Sequence, residues 1–111
     1  MDLRIDVAEH GDWSVLQIRG EIDIATAPRL REQLISLVND QRYQLVVDME
    51  AVEFIDSTGL GVLIGALKRV RAHDGDLQVV LTNTRILKVF EITQLDTIFR
   101  ISPTLDAVVA G

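Results

Sequence analysis

This chain of 111 residues has no cysteine, which excludes disulfide bridges, thiolate catalysis and cysteine-ligated zinc. Histidine is scarce: His10 and His73 both fall in polar turn sequences and read as solvent-exposed turn residues rather than general bases. Basic residues are outnumbered 17 to 11, leaving a net charge of −6. Such a chain is a poor candidate for binding nucleic acid by phosphate neutralisation and is repelled by anionic membranes. Long apolar runs are missing too. The longest nearly unbroken one, Leu60 to Leu67, falls far short of the roughly 20 residues a membrane-spanning helix needs. The opening Met1-Asp2-Leu3-Arg4-Ile5-Asp6 alternates charge with apolarity and does not read as a signal peptide, so a cytoplasmic location is expected. No linker, repeat or low-complexity stretch interrupts the chain, which predicts one domain over residues 1–111 with one core. No cofactor or metal site is expected.

What is present is periodicity. Leu3, Ile5 and Val7 alternate with polar residues and predict a half-exposed strand. His10-Gly11-Asp12 is a turn, and Trp13 to Arg19 reads as a second strand paired with the first. Gly20 to Ile24 leaves that strand and leads to a helix capped by Thr26, with Pro28 tolerated in its first turn and apolar spacing to about Asn39. Leu45 to Met49 has no alternation, which suits a central strand covered on both faces. After a short link a second helix runs from about Thr58 to Arg71, with Leu60, Leu63, Leu67 and Val70 on one face. Its basic end, Lys68-Arg69-Val70-Arg71, reads as a solvated terminus favoured by the helix dipole. Leu77 to Leu81 is a further central strand. Asn83 or Thr84 caps a short helix, Ile98 to Ile101 is an edge strand, and Ser102-Pro103 starts a last helix. The order β-β-α-β-α-β-α-β-α predicts an α/β domain with a mixed sheet of four to five strands and flanking helices.

The richest stretch is Phe54-Ile55-Asp56-Ser57-Thr58-Gly59-Leu60-Gly61. It places a serine hydroxyl, preceded by a carboxylate, at a helix N-terminus. Free backbone N–H groups and the helix dipole favour an anion there, so a phosphate on Ser57 meets little resistance from the fold. Thr58 is a second hydroxyl that reads as a first-turn cap. At 100° per residue Gly61, Gly65, Lys68 and Ala72 form a smooth stripe away from the leucines, where another backbone can approach; Gly59 suits tight packing on the domain's own sheet nearly as well.

Catalytic readings of the same residues are weak. A serine hydrolase needs a base and an elbow, but Ile55 stands where Gly-x-Ser-x-Gly requires its first glycine. Gly59-Leu60-Gly61 lacks the Gly-Lys-Ser/Thr ending of a phosphate-cradling loop. A receiver-like domain with Asp48 as phospho-acceptor is the more serious rival. It would need a pair of acidic residues after the first strand, where this chain has Ala8-Glu9-His10, and a lysine after the last central strand, where it has Thr82-Asn83.

A phosphorylatable binding module explains the most residues. Gly20-Glu21-Ile22-Asp23 with Ala25 to Leu30, Val46-Val47-Asp48-Met49, and Phe54 to Leu63 together resemble the anti-sigma factor antagonist family, whose domain is called STAS. The resemblance spans nearly the whole chain. It implies a non-enzymatic partner switch. The unphosphorylated protein binds an anti-sigma factor, typically a serine kinase of the GHKL type, and frees a sigma factor. The kinase phosphorylates Ser57 and the complex dissociates, and a PP2C-type phosphatase resets it. The contact surface implied comprises Asp23, Thr26, Asp56, Ser57, Thr58, Gly59, Gly61 and Gly65. A STAS-type scaffold or stressosome-like interaction module without a sigma-factor client is the alternative, with Ser57 acting as a helix cap.

Overall fold

The sheet starts with a hairpin. Strands β1 (Leu3–His10) and β2 (Trp13–Ile22) pair antiparallel, from Leu3 opposite Gly20 to His10 opposite Trp13. Gly20 sits at φ +103°, and a side chain there would run into the Asp2 carbonyl just before β1. Helix α1 (Ala27–Asn39) then returns the chain to β3 (Gln44–Ile55), which pairs parallel with β2. Helix α2 (Ser57–Arg71) leads in the same way to β4 (Asp76–Val80). Helix α3 (Thr84–Ile92), a 3₁₀ turn (Leu95–Thr97), β5 (Arg100–Ser102) and α4 (Leu105–Val109) complete the domain. The computed structural model describes residues 2–110 and gives a five-stranded mixed sheet in the order β1-β2-β3-β4-β5.

The main core lies on one face of this sheet. Leu16, Ile18, Leu45, Val47, Leu77 and Val79 meet the buried faces of α1, α2 and α3, including Leu34, Leu63, Leu67 and Phe90. Each such side chain, fully buried, contributes about 1.5–3 kcal/mol. The lack of alternation in Leu45 to Met49 is explained on the other face, where Val15, Val46 and Val80 pack under Val108 of α4. That second face is covered in part. Gln17, Arg19, Asp48 and Glu50 line a shallow polar recess beside the valines.

Four boundaries differ from the sequence reading. Strand β3 has no link after Met49. Val52 and Ile55 are buried and pair with Gly20 and Ile22, and β3 carries one extra residue against β2 at each of two register shifts, between Asp48 and Ala51 and between Val52 and Phe54. Asp48 is therefore a mid-strand residue on the polar recess, its carboxylate accepting from the Glu50 N–H. Strand β2 likewise continues through Ile22 rather than ending at Arg19. Strand β5 starts later, because the Ile98 and Phe99 N–H groups close the 3₁₀ turn onto the Leu95 carbonyl. Ser102 stays in that strand, bonded to Leu81, and Thr104 caps α4 instead by accepting from the Ala107 N–H.

Candidate functional site

Strands β2 and β3 end side by side, with Ile22 opposite Ile55. The Asp56 N–H donates to the Ile22 carbonyl at 3.1 Å, which ties the start of α2 to the loop leaving β2. The two loops thus form one surface at one end of the sheet.

Asp56 is the N-cap of α2. It is extended (φ −106°, ψ −175°), and its Oδ1 accepts from the Thr58 N–H at 3.0 Å and the Gly59 N–H at 3.1 Å. This corrects two expectations. Ser57 and Thr58 are first-turn residues, not caps. The amides proposed to receive an anion are already used by a carboxylate of the protein itself. Ser57 and Thr58 are both exposed, and Asp56 is half-buried.

The β2–α1 loop is built by its own side chains. Thr26 is 5% exposed. Its Oγ1 donates to the Glu21 carbonyl at 2.7 Å and accepts from the Asp23 N–H at 2.9 Å. The Asp23 Oδ1 in turn accepts from the Ala25 and Thr26 N–H groups at 2.9 and 3.0 Å. Thr26 stands at the N-cap position of α1 as expected, but its hydroxyl turns back into the loop and makes no cap bond to the helix amides. Asp23 holds the loop while remaining half-exposed. The tip that this clasp presents is Ile24, 76% exposed, which periodicity could not flag because it lies outside any repeating element.

The glycines of α2 separate cleanly. Gly59 is buried, and a Cβ there would lie 2.5 Å from Ile22 Cγ2 and 2.9 Å from Ile55 Cγ1. It serves the helix's own contact with β2 and β3, so it does not belong to the outer stripe. Gly61 and Gly65 face away from the sheet, with nothing within 4 Å of an added Cβ. They form the floor of a groove of about 330 Å³ between α1 and α2, flanked by Arg31, Ile35, Val62 and Arg69. The sequence reading had no means to see this groove, because it needs the two helices side by side. Among the described residues no group of acidic or histidine side chains is arranged to hold a metal, and no helix is long and apolar enough to cross a membrane.

An exposed serine in the first turn of a helix, a clasped loop beside it and an open groove behind it lie together on one side of the domain. Known proteins of similar sequence and fold carry regulatory names. The anti-sigma-B factor antagonist of Bacillus subtilis is 37% identical over 102 residues, covering 92% of this chain and 93% of that protein. The protein of the same name from Staphylococcus epidermidis is 31% identical over 102 residues, with 92% and 94% covered. The crystal structure of an anti-sigma factor antagonist from Mycobacterium paratuberculosis superimposes with a TM-score of 0.91 at 32% identity, covering 98% of this chain and 92% of that one. The model of the STAS domain matches residues 4–108, nearly every residue of the sheet and helices described above; the chain belongs to the STAS domain family.

Proposed function

We propose that this protein is an anti-sigma factor antagonist whose unphosphorylated form binds an anti-sigma factor and which is switched off by phosphorylation of Ser57. The exposed hydroxyl of Ser57 in the first turn of α2, flanked by the Asp23 loop, is the observation that carries the reading. Similarity to anti-sigma-B factor antagonists over 92% of the chain supports it. The partner would be a serine kinase of the GHKL type, with a PP2C-type phosphatase restoring the active form. Asp23, Asp56, Ser57, Thr58, Gly61 and Gly65 would form the contact, with Ile24 added as an apolar anchor at the loop tip.

Phosphorylation adds about −1.5 to −2 charges. The surroundings, with Glu53, Asp56 and Asp23, are acidic already, so a matching partner surface is basic. Charge repulsion is then a weak reason for release. Bulk and dehydration are stronger. Asp56 already occupies the Thr58 and Gly59 amides, so the phosphate would find those two donors taken and would have to be buried against the partner. An imperfectly paired buried charge costs on the order of 3 kcal/mol, which lowers affinity about a hundredfold.

Incubation with the kinase and ATP, followed by mass spectrometry, tests the proposal. Acid-stable phosphate on Ser57, absent from Ser57→Ala, is the expected result. An acid-labile acyl phosphate on Asp48 would point instead to receiver-like chemistry, and no modification at all would leave an unswitched scaffold.

A further inference from the structure

We propose that the groove between α1 and α2 receives an acidic segment of the same partner that covers Ser57, so that the docking surface carries opposite charge at its two ends. This rests on the partner-binding reading of the Ser57 surface. Thr58 lines the groove one residue from Ser57, so the two surfaces are continuous. Ile35 and Val62 give the groove apolar walls, and Arg31 and Arg69 flank it. Among the described residues neither arginine is ion-paired; the ion pairs involve Arg4, Arg42 and Arg71.

Neither arginine is required by its own helix. Arg31 is the fifth residue of α1, past its first turn, so the helix terminus offers it no electrostatic role. Arg69 shares the last turn of α2 with Lys68 and Arg71, which already complement that terminus. In a chain of net charge −6, two unpaired guanidiniums on one groove set a local field against the overall sign. A guanidinium offers a planar fork of donors that fits a carboxylate. The Ser57 end, with Glu53 and Asp56, is acidic. A partner that spans both must therefore lay basic groups over the Ser57 end and carboxylates between Arg31 and Arg69. The reverse orientation sets like charges against each other at both ends, so charge fixes the direction of docking.

The test uses the purified serine kinase that modifies Ser57, titrated against the wild type, Arg31→Glu/Arg69→Glu, Arg31→Gln/Arg69→Gln, Arg4→Glu and Ser57→Asp. The double reversal is expected to lose affinity about tenfold to a hundredfold, and the loss should shrink at high salt. The neutral glutamine pair should lose less, in the same direction, and it carries the test if the reversal perturbs folding. Arg4→Glu, on the edge strand β1, should stay within about twofold. Wild-type affinity in both double variants, with Ser57→Asp still releasing the kinase, overturns the groove and leaves the switch standing. An equal loss in Arg4→Glu also overturns it, since net charge alone would then be responsible. Absence of binding by every form overturns the groove together with the switch.

Discussion

Gly59 and Gly61 are two positions apart on α2 and face opposite demands. Alanine is the better helix former by about 0.8–1 kcal/mol, so propensity alone would stabilise either substitution. At Gly59 the added methyl meets Ile22 and Ile55, and the helix must move off the sheet. Gly59→Ala is expected to destabilise by about 1–3 kcal/mol in urea unfolding. Gly61→Ala and Gly65→Ala meet nothing and are expected to stabilise the free protein by up to about 1 kcal/mol each. Destabilisation by either of the last two would show that the stripe serves the domain's own packing. Thr26 is a third residue whose role is internal. Thr26→Val keeps the shape but strands the Asp23 N–H, and unfolding should become easier by about 1–3 kcal/mol.

At the scale of the elements, the start of α2 depends on one carboxylate. Asp56→Ala removes the acceptor for two amides and is expected to cost about 0.5–2 kcal/mol, seen as faster hydrogen exchange at Thr58 and Gly59. Periodicity made most elements legible in the sequence: the β1–β2 hairpin, both long helices and the central strands follow directly from where the apolar residues recur. It failed where tertiary pairing overrides local pattern. Glu50, Ala51 and Glu53 weaken the end of β3 as a strand sequence, yet parallel pairing with β2 holds it through Ile55. It also failed where one hydroxyl or carboxylate has several possible partners. Thr26, Ser102 and Asp56 all have capping chemistry, and their backbone surroundings decided which of them caps. Ser57 was legible because its neighbours form a motif, whereas Arg31 and Arg69 were not, since they meet across two helices.

For the molecule as a whole, the sheet brings the β2–α1 loop and the start of α2 to the same end. Its core does not involve the Ser57 side chain, which is exposed. Phosphorylation is therefore expected to move amide chemical shifts around residues 22–26 and 55–61 and to leave β1, β4 and β5 unchanged. Shifts spread across the sheet would mean that the switch works by refolding the domain. The most direct test of the account is the dissociation constant of the anti-sigma kinase for the protein before and after stoichiometric phosphorylation at Ser57. A loss of about a hundredfold or more, with the fold intact, is expected. Equal affinity for the two forms would contradict the account.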